Sequence, residues 1–292
     1  MPQPPLPELR TAKPFVKWVG GKRSLLPELM KRLPAAFNNY YEPFVGGGAL
    51  FFALKNEGRI NSAGGGQAYL SDINYDLIQT YQLIRRDPEP LIARLKQHAR
   101  SHAKDYYYET RGQHDLGDPV EIAARFIYLN KTCYNGLWRV NSKGEFNVPM
   151  GSSKKPAICQ EDNLRACHEA LQDVEVRELD FLDIEAGEND FVYFDPPYHP
   201  LEGGSFTDYA KTGFREAEQT ALRDLCRELH ERGAKFMLSN SDTDFIRDLY
   251  ADASVFRLTT VQAPRMVNCK SDGRGAVNEL LISNFIRDAS LG

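Results

Sequence analysis

Phe191-Val192-Tyr193-Phe194-Asp195-Pro196-Pro197-Tyr198 is the stretch around which the rest of the chain is organised. Four apolar, β-prone residues predict a short buried strand, and the two prolines end it, because proline brings no N–H to a strand ladder. The strand therefore delivers the Asp195 carboxylate at its C-terminal end, the edge at which open α/β sheets bind ligands. The ring-fixed φ values of Pro196 and Pro197 hold the Asp195 side chain and the Pro196 carbonyl in a set orientation, so two acceptors can face one amino group. Tyr198 offers a plate on which a flat ring can stack. Such a set suits an exocyclic amine on a heteroaromatic base, whose lone pair is delocalised and must be localised before it attacks. A proline-rich turn that merely ends a strand is the plain alternative.

On either side of this stretch the pattern is α/β. Upstream, Val174 to Leu179 reads as a strand ending at Asp180-Phe181, a pair that could hydrogen-bond and cover an adenine ring. Downstream lies a loop, 199 to 213, long enough to close over a bound base. An amphipathic helix from Phe214 to Arg232 and a strand from Lys235 to Ser239 follow. Two last β-like runs, Ser254 to Gln262 and Val277 to Phe285, predict an antiparallel hairpin on an otherwise parallel sheet; Arg265, Lys270 and Arg274 lie in its loop.

Nearer the N-terminus, Tyr40 to Val45 leads into Gly46-Gly47-Gly48 and a helix-like run from Phe51 to Glu57. Strand, glycine turn and helix form the nucleotide-binding opening of a doubly wound sheet. A second strand, Ala68 to Ser71, ends at Asp72, placed to accept from ribose hydroxyls. The glycine pattern is poor for a nicotinamide cofactor, since Phe51 stands where the third glycine belongs. Residues 14 to 22 bring Trp18 and, beside Gly20-Gly21, Lys22 before a helix containing Pro27. A phosphate loop is excluded by Val16 in the first glycine position and Arg23 in place of Ser or Thr. Lys22 can instead take a carboxylate, and Trp18 a ring or sulfonium group, core packing being the alternative for the indole.

Helices are predicted at Tyr75 to Arg86, Asp87 to His98, Lys104 to Arg111 and Pro119 to Thr132. A polar, aromatic and basic loop follows. From Arg125 to Lys155, six basic residues (125, 131, 139, 143, 154, 155) face one acid, Glu145, although the whole chain carries −4. A basic island in an acidic protein predicts a phosphate-facing surface, and a solvated loop is the alternative. Residues 76–158 thus read as an inserted, mostly helical recognition domain, with 1–75 and 159–292 as the catalytic domain. The chain's 292 residues are 42% apolar, enough for a real core, and no run of about 18 apolar residues marks a membrane span. Five cysteines without Cys-x-x-Cys spacing predict reduced thiols, no metal and a cytoplasmic protein.

The chain resembles Dam-type DNA adenine-N6 methyltransferases of the D12 class, in the alpha group whose order is cofactor site, recognition insert, catalytic motif. The resemblance runs through Phe15 to Lys22, Glu42 to Gly48, Asp72-Ile73-Asn74, Tyr134 to Arg139, Gly144 to Pro149 and Asp195 to Tyr198. It implies a doubly wound, mostly parallel, seven-stranded methyltransferase sheet with an antiparallel C-terminal hairpin, and an inserted helical DNA-recognition domain. It further implies S-adenosylmethionine bound by Trp18, Lys22, Phe44, Gly46, Gly48, Asp72, Asp180, Phe181 and Asp195. Lys17, Tyr134, Asn135, Leu137, Arg139 and Pro149 match positions that face double-stranded DNA, with Arg139 bidentate to a guanine in a GATC target. Trp138 and Ser153 occupy variable positions that bear on the outer bases, and Gly64-Gly65-Gly66 is a local addition.

The catalytic expectation is an adenine flipped beside Asp195, because its amine cannot be reached inside the stack. Tyr198 receives the base, and Asp195 with the Pro196 carbonyl accepts both N6 hydrogens. A monomer or weak dimer is expected on DNA. Three rival readings stay open: methylation of an RNA adenine or a protein glutamine, a catalytically silent DNA-binding relative, and a nicotinamide oxidoreductase.

Overall fold

A computed structural model describes residues 11–18, 22, 24–60, 66–201, 214–264 and 276–286. Several sequence expectations lie outside them: Gly20-Gly21 and Arg23, Gly64-Gly65, residues 202–213 of the expected closing loop, and the loop with Arg265, Lys270 and Arg274. Within the described residues the order is α1 (Leu26–Arg32), β1 (Tyr40–Glu42), α2 (Ala49–Asn56), β2 (Ala68–Asp72), α3 (Tyr75–Arg86), α4 (Glu89–Ser101), α5 (Lys104–Arg111), α6 (Pro119–Thr132), α7 (Glu161–Ala170), β3 (Val174–Glu178), β4 (Phe191–Phe194), α8 (Glu216–Glu231), β5 (Lys235–Ser241), α9 (Asp244–Leu249), β6 (Arg257–Pro264) and β7 (Ala276–Ser283). None of these helices is long and apolar enough to cross a membrane.

The strands form one seven-stranded sheet in the order β3-β2-β1-β4-β5-β7-β6. Strands β1 to β5 run parallel, while β7 pairs antiparallel with both β5 and β6. The C-terminal pair is therefore the expected hairpin, but its last strand enters the sheet and leaves β6 at the edge. Because the chain moves outward from β1 through β2 to β3 and then returns to β4, strand order reverses between β1 and β4. Their carboxyl ends flank the crevice in which open α/β sheets bind ligands. All four residues of β4 are buried, as a strand covered on both faces requires.

By packing, the chain divides into two units: Met1–Gly21, Gly46–Arg59 and Tyr75–Gln172 in one, and Lys22–Val45, Ile60–Asn74 and Asp173–Gly292, which holds the whole sheet, in the other. In the sheet unit, Val192 and Phe194 of β4, Phe236 and Leu238 of β5 and Leu280 and Ile282 of β7 share a core with Leu222, Leu225, Cys226 and Leu229 of α8. Each fully buried Leu there contributes roughly 2 kcal/mol of transfer free energy. Helix α8 starts where the Glu218 carboxylate accepts the Arg215 backbone N–H at 2.6 Å, and it ends before Gly233, whose φ of +77° suits a residue without Cβ.

The other unit is built on α6. Asp118 caps it, accepting from Val120 N at 2.7 Å and Glu121 N at 3.2 Å, with Pro119 in the first turn. Residues Ile122 to Thr132 are buried without interruption, because α3, α4 and α5 pack around this helix. Two members of the basic island are inside it, which corrects the expectation that the island faces solvent as a whole. Arg125 is buried, donating from Nε to the Thr110 carbonyl at 3.0 Å and from Nη2 to the Arg111 carbonyl at 2.9 Å; it caps the C-terminus of α5. Lys131 is buried with its Nζ 3.1 Å from Gln160 Oε1. Lys143, Lys154 and Lys155 are exposed and Arg139 is half-buried. Helix α7 packs on α3 in this unit, although its residues were expected in the catalytic domain.

Candidate active site

In the sheet unit, β4 ends as expected and Asp195 stands at its tip with a side chain 19% exposed. Its Oδ1 carries two donors: Lys22 Nζ at 2.7 Å and Ser239 Oγ, on the adjacent β5, at 3.1 Å. Burial pushes the Asp195 carboxyl above the usual range, while Lys22 and Ser239 pull it back. Behind Ser239 stands the buried Tyr193 hydroxyl, 3.1 Å from its Oγ. Lys22, 5% exposed, also places its ammonium 4.2 Å from the centroid of the Tyr198 ring. The Tyr198 hydroxyl donates to Glu279 Oε2 of β7 at 2.8 Å, which fixes the ring from its far end.

The prolines are held as well. Gln219 of α8 donates to the Pro197 carbonyl at 3.0 Å and accepts from Asn240 Nδ2 at 3.0 Å, while Asn240 Oδ1 takes the His199 N–H at 3.0 Å. Asp195 Oδ2 and the Pro196 carbonyl have no hydrogen bond with any described residue. Oδ1 and the Pro197 oxygen are occupied, so the tip presents two open acceptors.

Beside the tip, Phe44 stacks on Phe181 at 5.2 Å and meets Phe194 and Phe214 edge-on. Phe181, expected to cover an adenine, is thus a core side chain, 6% exposed. Asp180 caps the turn that follows, its Oδ1 accepting from Leu182 N at 3.0 Å. Asp180 also lines an open cleft of about 270 Å3 with Ile73, Glu178, Leu179 and Asp183. Asp72, at the end of β2, accepts from Asn74 N at 3.0 Å.

The remaining expected residues lie in the helical unit. Gly46 and Gly48 have φ values of +45° and +65°, and an added Cβ would come within 2.6 Å of the Trp18 ring at Gly46 and 2.7 Å of the Tyr81 hydroxyl at Gly48. Both positions demand glycine for conformation and for space. The Tyr81 hydroxyl donates to the Gly46 carbonyl at 3.1 Å, holding the turn. Trp18 stays partly exposed, tilted 6.4 Å from Phe126 at the end of the aromatic row Phe126, Trp138, Phe146.

The residues expected on DNA are brought together in this unit. Buried Asn130 on α6 accepts from Lys17 N at 2.8 Å and donates to the Lys17 carbonyl at 2.7 Å and the Gly136 carbonyl at 3.2 Å, clamping the N-terminal segment to the Tyr134–Gly136 turn. Tyr134 N donates to the Pro149 carbonyl at 2.9 Å, and Cys133 Sγ to the Leu137 carbonyl at 3.3 Å. Lys17, Tyr134, Asn135 and Pro149 are exposed on that assembly. Asn135 takes a φ of +54°, which asparagine tolerates. Arg139 donates from Nε to Asn147 Oδ1 at 2.7 Å across a short hairpin, and its two terminal nitrogens make no bond with described residues. The orienting residues Asn130, Asn147, Ser239, Gln219 and Glu279 carried no role in the sequence reading. Asn147 lay inside a recognised motif; the others had no local signal.

A family model described as D12 class N6 adenine-specific DNA methyltransferase matches residues 18–266. The Type II methyltransferase M.MjaIII of Methanocaldococcus jannaschii is 41% identical over 294 residues, covering 94% of this chain and 99% of the relative. The Type II methyltransferase M1.LlaDCHI of Lactococcus lactis subsp. cremoris is 39% identical over 283 residues, covering 94% and 95%. The DNA adenine methylase of Escherichia coli is 34% identical over 279 residues, again covering 94% and 95%.

Proposed function

This chain belongs to the D12 class of N6 adenine-specific DNA methyltransferases, and we propose that it methylates an adenine flipped out of duplex DNA, in a GATC site, with S-adenosylmethionine as donor. When bound, the donor supplies a methyl group on a sulfonium centre. The residues fit such a group: the cleft beside Asp180 pairs carboxylates for hydroxyls with Ile73 and Leu179 for a ring, and Asp72 offers a further carboxylate. In the helical unit, the glycine turn at Gly46 and Gly48 and the half-exposed Trp18 are positions that the family resemblance assigns to the donor.

The observation that carries the reading is the pair of open acceptors, Asp195 Oδ2 and the Pro196 carbonyl, on a tip whose other acceptors are engaged. They take the two N6 hydrogens and draw the nitrogen toward tetrahedral geometry, so its lone pair can attack. Tyr198 holds the base by stacking. The N6 proton released afterwards passes to Asp195 or water. Positioning and preset acceptors supply the rate gain. The GATC assignment rests on Arg139, whose terminal nitrogens, unbonded among the described residues, suit the O6 and N7 of guanine. Residues 76–158 serve as the recognition domain, and the protein acts on DNA as a monomer or weak dimer.

Labelled-methyl incorporation into DNA, RNA and protein, with sequencing of adenine methylation in a host expressing the chain, tests the reading. Methyl groups on adenine in GATC are expected. Label in RNA or protein alone would replace the reading, and another DNA site would replace the GATC assignment. Asp195→Ala is expected to reduce methyl transfer by roughly 1,000-fold or more with DNA affinity within about twofold.

A further inference from the structure

The Lys22 ammonium touches both groups that the target adenine must touch. It lies 2.7 Å from Asp195 Oδ1 and 4.2 Å from the Tyr198 ring centroid, and the lysine is almost fully buried. A base whose ring stacks on Tyr198 and whose amine reaches Asp195 has to enter the space this ammonium fills. Lys22 and Ser239 both bind Oδ1, so the second oxygen is the one that stays open. We propose that Lys22 is a positioning residue of the base pocket: it keeps Asp195 ionised and turned with Oδ2 outward, and it occupies the Tyr198 face until the adenine displaces it. This rests on the adenine-methylating function proposed above and assigns Lys22 to the base side of the pocket.

The physical reason for such a device lies in the carboxylate. A protonated Asp195 would present an O–H donor to an amine that needs an acceptor. Burial favours that protonated form, and the Lys22 charge with the Ser239 hydroxyl opposes it. Lys22 keeps its bond to Oδ1 when the base arrives and gives up only the ring face. Base entry therefore exchanges a cation–π contact for stacking, which lowers the apparent stability of the extruded base.

The test uses the full-length protein, with Lys22→Met, Lys22→Arg and Ser239→Ala, on a duplex carrying the site found by methylation sequencing. Base extrusion is read from the fluorescence of 2-aminopurine in place of the target adenine, methyl transfer from single-turnover rates against pH, and donor binding by calorimetry. Lys22→Met is expected to raise the fluorescence about twofold or more, because the competitor for Tyr198 is gone. The acid limb of its profile moves up by about one unit and its rate on the acid side of that limb falls roughly tenfold, since below its pKa a carboxyl changes its ionised fraction tenfold per unit.

The charged and titratable groups around that limb are Lys22 from the N-terminal segment, Tyr193 and Tyr198 on the catalytic stretch, Tyr40 and Glu42 of β1, and Glu279 acting through Tyr198. Lys22→Arg keeps the acid limb in place, which separates loss of charge from misfolding if the Met variant melts early. Ser239→Ala shifts the limb in the same direction as Lys22→Met without the fluorescence gain. An unmoved acid limb in Lys22→Met, or donor affinity weakened about tenfold with fluorescence at the wild-type level, overturns the proposal. A wild-type protein that methylates no DNA adenine overturns the function itself and takes this proposal with it.

Discussion

Arg139 can read a guanine only if its fork points in one direction, and a free arginine loses about 2 kcal/mol of rotamer entropy when it is fixed. Asn147 removes part of that freedom beforehand by holding Nε at 2.7 Å, and it sits opposite Arg139 because Asn147 N also donates to the Arg139 carbonyl at 3.1 Å. Asn147→Ala is expected to narrow the preference of the enzyme for the correct guanine by roughly tenfold, about 1.4 kcal/mol, with kcat on the correct site changed much less; competing duplexes with one substituted base measure it. A second residue sets a pH limit. His98 on α4 is 1% exposed, shares a hydrogen bond of 2.8 Å with the Tyr106 hydroxyl and stacks on Tyr128 at 4.8 Å. Its Nε2 is buried without a partner among the described residues. Burial, reinforced by Arg94, lowers its pKa from 6.5 to about 4, with Glu121 opposing. The folded value lies below the unfolded one, so the unfolded chain binds the proton first. Stability from this residue is complete above the unfolded value and drains away as pH falls toward 4, by about 3 kcal/mol in total. Denaturant melts between pH 7 and 4 are expected to lose that slope in His98→Phe.

At the scale of elements, Glu279 shows how the C-terminal hairpin reaches the chemistry. Strand β7 lies between β5 and β6 with Glu279 in register with Ser241, and from there its carboxylate takes the Tyr198 hydroxyl 81 residues away in sequence. Glu279→Ala and Tyr198→Phe each remove one end of a single hydrogen bond. Each is expected to slow single-turnover methyl transfer about tenfold, and the double variant is expected to be no slower than either, a coupling that a double-mutant cycle reads directly. Independent, multiplying losses would mean that Glu279 acts elsewhere. The same strand marks what the sequence could disclose. The tip of β4 was legible because apolar run, acid and prolines are contiguous, and α3, α5 and α6 span the ranges expected of them, Tyr75–Arg86, Lys104–Arg111 and Pro119–Thr132. Helices α7 and α9 are absent from the sequence expectations: α9 has only six residues, too few for a periodic signal, whereas the spacing of Leu164, Cys167 and Ala170 does mark one face of α7. Ser239 and Glu279 read as ordinary strand residues, since their tasks exist only after parallel pairing of β4 with β5 and the return of β7. Arg125 misled for a related reason. Its charge was visible, but the α5 carbonyls that hold it inside come from a different helix.

Over the whole molecule, a formal charge of −4 has to coexist with a polyanionic substrate. Net charge sets the far field, whereas affinity for a phosphate backbone follows the number of cations that replace condensed counterions. The folded chain separates its basic residues into two populations. Arg125 and Lys131 are spent on internal carbonyl and amide oxygens, while Lys17, Lys143, Lys154 and Lys155 are exposed in the same unit as the Tyr134–Gly136 turn and Arg139. Each exposed lysine that meets a phosphate adds about 0.9 to the slope of log affinity against log salt, without regard to sequence. Lys154→Gln with Lys155→Gln is therefore expected to flatten that slope by about two while the ranking of competing sites stays as in the wild type. Arg139→Lys should do the reverse, keeping the slope within about one unit and weakening the ranking, because an ammonium cannot make the paired contact of a guanidinium. Binding isotherms on one duplex at several salt concentrations, repeated with a duplex lacking the site, measure both quantities. A slope unchanged by loss of both lysines would take the 154–155 segment off the DNA and confine the phosphate contacts to Lys17, Lys143 and the turn.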